Sequence, residues 1–252
     1  MASLSAWAVR RMNRKEVPLS RLDHSLISDL PVFSGIDSES LDRMLSGARS
    51  QRIARDNSIF EQDAEAHSFF VLLDGRARVV KSTADGQQVT MRYIVAGELM
   101  GIAHALRRTT YPATAIAVTD CVVLFWPSRQ WEEFASAFPS FGANTYKTIG
   151  GRLEDVQTQV VEMATQQVER RVAHSLLRLV KQSGRNTDHG ILIDFPLSRQ
   201  DIAEMTGTTL HTVSRLLTAW EEKGVVKSAR QQVTVVEPHR LLLLADGRSG
   251  ER

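Results

Sequence analysis

Apolar side chains along the chain change their period three times, and each change predicts a different kind of element. Between residues 21 and 48, Leu22, Leu26, Leu30 and, past Pro31, Leu41, Met44 and Leu45 recur at helical spacing. From about 49 to 127 the pattern breaks into short β-rich runs: Phe69 to Leu73, Ala77 to Val80, Val89 to Val95 and Thr114 to Trp126. Turn signals at Asp74-Gly75, Asp85-Gly86 and Ala96-Gly97 separate them. Short strands punctuated by glycine predict a compact β-sandwich or roll.

After Pro139 comes the most regular stretch. Tyr146, Ile149, Leu153, Val156, Val160 and Met163 follow at intervals of 3, 4, 3, 4 and 3, a heptad seam with Arg152, Glu154, Asp155, Gln157 and Gln159 off it. So narrow a stripe predicts parallel pairing with the same helix of a second copy; the plainer alternative is a helix packed on its own domain. Gly150-Gly151 interrupts it at about 1 kcal/mol per glycine relative to alanine, as a weak point or a place of close approach. From Val168 the apolar phase shifts to Val172, Leu176, Leu177, Leu179 and Val180, so a hinge is expected at Ala164 to Gln167.

The segment from Leu197 to Thr209 reads as a short capped helix and a turn. Ser198 is placed to accept from first-turn N–H groups, Asp201 sits at the capping-box position, and Gly207 supplies the turn. Thr209 then caps a second helix, Leu210 to Lys223. Its Val213, Leu216, Leu217 and Trp220 form a buried stripe opposite His211, Ser214, Arg215 and Thr218. In a helix-turn-helix, residues near the N-terminal end of the second helix reach base edges in the major groove. Arg215 is the candidate for a bidentate contact to guanine, with Ser214 and His211 beside it and Arg199 placed for a phosphate. Gly224 to Val226 and Val233 to Val236 suggest a two-stranded wing, with Lys227 and Arg230 near its tip. Each basic residue alone is an ordinary surface charge; the constellation is what points to double-stranded DNA.

Composition narrows the class. The 252 residues are 42% hydrophobic and 24% charged, with a net charge of +2, so the distribution of charge, not its sum, argues for nucleic acid. One cysteine, Cys121, excludes a disulfide framework and an iron–sulfur cluster held by several thiolates of one chain. No apolar run is long enough for a membrane span, no secretory leader is visible, and a cytoplasmic protein without a membrane partner is expected. No nucleophile–base motif, P-loop or paired carboxylates suggest an enzyme. The organisation expected is α+β: a mobile basic arm over 1–20 (Arg10, Arg11, Arg14, Lys15), an effector-sensing β-roll over 21–138, a dimerisation helix over 139–164, a winged helix-turn-helix over 165–244, and a disordered tail over 245–252.

In this order the features resemble the CRP/FNR family of bacterial regulators, over residues from about 25 to 240. The most specific part is Ser198-Arg199-Gln200-Asp201-Ile202-Ala203, Gly207-Thr208-Thr209 and Thr212-Val213-Ser214-Arg215. The resemblance implies an N-terminal cyclic-nucleotide-binding-like β-roll, a homodimer on a palindromic operator, and RNA polymerase as a partner. FNR-type members carry Glu-x-x-Ser-Arg where this chain has His211-x-x-Ser214-Arg215. The shared Ser and Arg imply half-sites containing TTG; His211 leaves the flanking base pairs open.

The sensor half departs from the family. Gly97-Glu98-Leu99-Met100-Gly101-Ile102 looks like its phosphate-binding cassette, but Ile102 stands where a glutamate would bind ribose, and Tyr111-Pro112 where an Arg-Ser pair would bind phosphate. Val156 and Gln157 replace the hydroxyls that touch adenine. Cyclic AMP is therefore not the expected effector, and the cluster-binding cysteines of FNR are missing. Gly97, Glu98, Ile102, His104 and Tyr111 are the effector-pocket candidates. No metal site is evident beyond His104 as a candidate haem ligand; a hydrogen-bonded or partly exposed histidine is its plainer reading. His67 and His24 rank behind it. Cys121, in an apparent core strand, is expected to be inert.

Gly101 to Leu106, Tyr111 to Ala115 and Glu204 to Arg215 resemble most the NnrR group, whose members respond to nitric oxide or related nitrogen oxides and activate denitrification genes. A regulator answering redox, oxygen or another small ligand, or one acting as a repressor, is the alternative.

Overall fold

The computed structural model describes residues 24–248. The basic arm and Leu22 lie outside them, as do residues 249–252. The described residues form two compact units: those up to Val79 together with Ile94–Thr148, and Val80–Tyr93 together with those from Ile149 onward.

The first unit begins with α1 (Ser25–Ser28), a 3-10 turn at Pro31–Phe33 and α2 (Ser38–Ser46). The helical stretch expected over 21–48 is thus broken in the middle. Pro31 opens its own turn, Gly35 has a positive φ of 77°, and Asp37 starts a fresh helix by accepting from the Ser40 N–H at 2.9 Å. Eight strands follow, of which the end of β4 and most of β5 are counted with the second unit: β1 (Arg49–Ile53), β2 (Ser58–Phe60), β3 (Ser68–Asp74), β4 (Ala77–Ser82), β5 (Gln88–Ile94), β6 (Leu99–Met100), β7 (Thr114–Ala117) and β8 (Cys121–Pro127). They make two four-stranded sheets, in the orders β1-β8-β3-β6 and β2-β7-β4-β5. The run expected as one strand from Thr114 to Trp126 is two. Thr119 and Asp120 break it because their side chains accept from the backbone N–H groups of Arg76 and Arg55, both at 2.9 Å. Gly75, at φ +90°, lets the β3–β4 turn pass so close that a Cβ there would lie 2.3 Å from the Asp120 carbonyl oxygen.

Two apolar clusters fill this unit. Around Phe69 pack Trp126, Trp131, Phe134 and Phe141, with ring centroids 5.1–6.4 Å away, and the Trp126 indole donates to the Met44 carbonyl at 2.8 Å. The second cluster includes Phe60, Phe70, Leu72, Met100, Tyr111, Cys121 and Val123. Helix α3 (Trp131–Ala137) leads into α4 (Pro139–Thr165), whose first turns are anchored by Phe141 and by the Asn144 amide donating to the Ser34 carbonyl at 2.8 Å. No helix of the described residues is long and apolar enough to cross a membrane.

In the second unit, α4 ends at Thr165 and α5 (Val168–Ser183) starts afresh after Gln167, whose backbone is extended (φ −64°, ψ 154°). Then come β9 (Gly184–Thr187), β10 (Gly190–Ile193), α6 (Arg199–Thr206), α7 (Leu210–Glu222), β11 (Val226–Ala229), β12 (Gln232–Val235) and α8 (Pro238–Ala245). The wing is larger than the expected hairpin: Ile191 pairs with Val235, giving a four-stranded sheet in the order β11-β12-β10-β9. The tail expected to be disordered from Ala245 is described through Arg248. Proline at the first turn starts α8, Leu241 and Ala245 are fully buried, and the Arg170 Nε donates to the Ala245 carbonyl at 3.0 Å. Val172, Leu176, Ile202, Val213, Leu217, Trp220 and Val235 complete this core.

Candidate nucleic-acid interface

Local sequence chemistry fixes the reading element. Ser198 and Asp201 form a reciprocal capping box: the Ser198 hydroxyl accepts from the Asp201 N–H at 3.0 Å, and the Asp201 carboxylate accepts from the Ser198 N–H at 2.8 Å. Gly207, in the left-handed region at φ 59°, ends α6, and the Thr208 N–H reaches back to the Ala203 carbonyl at 3.0 Å. Thr209 caps α7 by accepting from the Thr212 N–H at 3.2 Å. Val213, Leu217 and Trp220 then bury one side of α7, and the Trp220 indole donates to Glu169 on α5 at 3.1 Å. The opposite side is left to solvent: His211, Arg215 and Thr218 are exposed and Ser214 is half-buried. Ser214, Arg215, Thr218, Ala219 and Glu222 line one open groove.

A second cleft, of about 420 Å³, runs between the start of α6 and the wing. Arg199 enters it, its Nη2 donating to the Ser228 hydroxyl on β11 at 3.1 Å. Ser228 is itself held by Glu221 of α7, which accepts from the Ser228 N–H at 2.6 Å and from its hydroxyl. Lys227 and Arg230 stand exposed on the wing.

Two arginines of α5 hold the end of the long helix, and one of them also bonds the reading element. The Arg171 guanidinium donates from Nε to the Thr206 carbonyl at 3.0 Å and from Nη1 to the Gln166 carbonyl at 2.8 Å, joining the break after α4 to the end of α6. Arg178 donates from Nη1 to both oxygens of Glu162, at 2.7 and 2.9 Å, and that carboxylate is buried.

The effector-pocket candidates divide. Tyr111 is buried: its ring stacks on Phe60 at 4.4 Å, Phe60 stacks on Phe70 at 5.6 Å, and its hydroxyl donates to the Ser68 carbonyl at 2.7 Å. Ile102 is buried too, Gly97 turns with φ 89°, and the Glu98 carboxylate accepts from the Val95 N–H at 3.2 Å. His104 lies apart, exposed on a 3-10 turn (His104–Leu106) beside the exposed Leu106. Among the described residues no three His, Cys, Asp or Glu side chains are grouped to hold a metal. His67 pairs with Glu65 at 3.5 Å and His24 with Asp42 at 3.3 Å, both on the surface. Burial pushes the Cys121 thiol up to about 11.

Residues 50–138 match the cyclic nucleotide-binding domain family, and residues 170–244 the Crp-like helix-turn-helix domain family. The two matches fall in the order that the resemblance implies. The chain is a CRP/FNR-family transcription regulator. The cyclic AMP receptor protein of Thermus thermophilus is 27% identical over 217 residues, 86% of this chain and 97% of that one. The nitrogen fixation regulation protein FixK of Azorhizobium caulinodans is 29% identical over 174 residues, 69% of each. The structure of FixK2 from Bradyrhizobium japonicum superposes with a TM-score of 0.69 at 22% identity, over 78% of this chain and 96% of that one, which shows the α+β fold.

Like its family, this CRP/FNR regulator binds DNA and is not an enzyme, and the family implies a dimer. The regulator's expected seam is open in the single chain: Tyr146, Leu153, Val156, Val160 and Met163 are 43–72% exposed, and Ile149 is half-buried. The methyl of Met163 also lies 3.9 Å from where a Cβ on Gly207 would be, so this residue borders the reading turn as well. Arg171, Arg178, Glu221 and Ser228 had no sequence signal, because each bonds from one element to another rather than within a cap or turn.

Proposed function

We propose that this regulator is a homodimer that reads a palindromic operator with TTG-containing half-sites about one helical turn, roughly 34 Å, apart. The observation that carries the reading is the face of α7: His211 and Arg215 exposed, with Ser214 half-buried beside them, on a helix capped by Thr209, above a core that fixes its rotation. Arg215 is the guanine-reading side chain, Ser214 and His211 contact neighbouring base edges or phosphate, and Ser198, Arg199 and Thr209 hold the backbone. The exposed stripe from Tyr146 to Met163 pairs with the same stripe of a second copy.

We further infer that it works in the cytoplasm with RNA polymerase as an activator of nitrogen-oxide or denitrification genes. The activator role is supported by relatives named as transcriptional activator proteins, FnrA of Stutzerimonas stutzeri and anr of Pseudomonas aeruginosa. The signal acts through the β-roll, around Gly97, Glu98, Ile102, His104 and Tyr111, and is not a cyclic nucleotide. The Tyr111–Phe60–Phe70 stack supports this: it puts a neutral ring, its hydroxyl bonded to the Ser68 carbonyl, at the position where the family holds a phosphate with a guanidinium.

Arg215→Ala tests the DNA reading. Discrimination between a TTG palindrome and one with the core scrambled should fall by about 1–3 kcal/mol per lost bidentate contact, with the dimer intact. Unchanged discrimination would remove Arg215 from the reading. For the signal, a nitric oxide donor should raise operator occupancy in footprinting; occupancy that follows oxygen or thiol redox poise instead would assign a different effector.

A further inference from the structure

The link between Arg199, Ser228 and Glu221 joins three elements: the start of α6, and, 29 residues on from Arg199, the wing strand β11 with the end of α7 that precedes it. A serine hydroxyl has one proton and two lone pairs. Glu221 takes that proton, and it also takes the Ser228 N–H at 2.6 Å, so both the hydroxyl and its strand are fixed against α7. The lone pairs are thereby turned to the Arg199 Nη2, 3.1 Å away. The wing is pinned a second time: Gln231, in the left-handed region at φ 57°, presents its carbonyl to the Leu197 N–H at 3.0 Å, just ahead of α6. Between these ties lies the cleft lined by Ser198, Arg199, Gln200, Arg230 and Gln232.

We propose that Ser228, oriented by Glu221, is a positioning residue that sets the Arg199 guanidinium in this cleft to receive one backbone phosphate of the DNA. A guanidinium carries five N–H donors in a rigid fork. The bond to Ser228 engages one of them and, because its acceptor is a neutral hydroxyl, leaves the positive charge uncompensated by that contact. The remaining edge then meets a phosphate with its orientation already set, at a lower entropic cost than for a long side chain in solvent. The first helix of a helix-turn-helix crosses the DNA backbone, so the ligand class is a phosphodiester rather than a base edge. The proposal rests on DNA binding by this element but not on which bases α7 reads.

The experiment measures binding of the full-length protein to its operator and to scrambled duplex DNA across a salt series, for Ser228→Ala, Arg199→Ala and the double variant. Each phosphate neutralised contributes about 0.9 to the slope of log K against log salt. Ser228→Ala, which leaves net charge unchanged, should flatten the slope by up to that amount per protomer, about 1.8 for the dimer, on both DNAs. The operator-to-scrambled ratio should stay constant, and Ser228→Ala should add nothing in the Arg199→Ala background. Ser228→Thr, which keeps the hydroxyl, should restore the slope, while Ser228→Val, equally suited to a strand, should not. The pair also keeps the test readable if Ser228→Ala folds poorly. A slope unchanged by losing the hydroxyl, or flattened equally with and without Arg199, would overturn the proposal. A change only in the operator-to-scrambled ratio would do the same by making Ser228 part of base reading. Failure of the Arg215→Ala prediction would leave this result standing.

Discussion

Arg178→Met is the substitution whose cost the structure sets most directly. In the native protein one guanidinium nitrogen serves both oxygens of Glu162, whose side chain is 8% exposed against 33% for Arg178. Methionine keeps much of the aliphatic bulk and removes the charge, leaving a carboxylate enclosed without its cation. Breaking a buried pair on one side costs about 3–5 kcal/mol. The partial exposure of Arg178 lets water replace some of the lost bonding, which brings the expectation to about 2–3 kcal/mol. At roughly 2–4 °C per kcal/mol for a chain of this size, Tm should fall by about 4–12 °C. Calorimetry at one fixed protein concentration is the assay, because the stability of a dimer depends on concentration. Adding Glu162→Gln to Arg178→Met removes the stranded charge and should return more than half of the loss. A single variant within about 0.5 kcal/mol of wild type, the range of ordinary surface substitutions, would show that solvent screens the pair. A double variant no better than the single would refute the stranded-carboxylate reasoning.

Two further outcomes follow from other parts of the molecule. Leu153→Arg puts a charge in the middle of the exposed α4 stripe and should give a monomer by sedimentation that no longer retains operator DNA; a dimeric, DNA-competent variant would remove the stripe from the interface. Cys121 should resist a thiol reagent at pH 8 in the folded protein and react at once in denaturant, because burial raises its pKa to about 11. The sign of the linked stability change is fixed. The unfolded thiol ionises first, near 8.5, so stability from the protonated thiol is complete below that pH and is lost as the pH climbs towards about 11. Rapid labelling of the native protein at pH 8 would contradict this.

Legibility in the sequence tracked the range of the interactions. The cap at Ser198 and Asp201, the Gly207 turn and the Thr209 cap could be read directly, since each is settled within four or five residues. The apolar phase change placed the break before Val168 for the same reason. The four-stranded wing escaped because β10 joins β12 some 40 residues on, and Ile191-Leu192-Ile193 alone is too short a signal. Helix α8 escaped because its four leucines follow a proline close to a polar tail, and only burial against α5 makes them helical. β1 carries no strand signal because Ser50 and Gln51 are buried polar residues, contrary to any hydrophobic pattern. In the β-roll, the apolar Ile102 and neutral Tyr111 are legible in the sequence as chemistry. That Tyr111 turns inward onto Phe60 while His104 stays outside is decided by packing.

The open stripe on α4 also has a consequence for dosage. If two chains must meet along it before either recognition helix finds its half-site, occupancy of an operator at low copy number rises with the square of protein concentration. Small changes in expression or turnover of this regulator would then be amplified at its promoters before any signal arrives. The threshold would be set by how tightly one narrow row of apolar side chains, interrupted by Gly150 and Gly151, holds its twin.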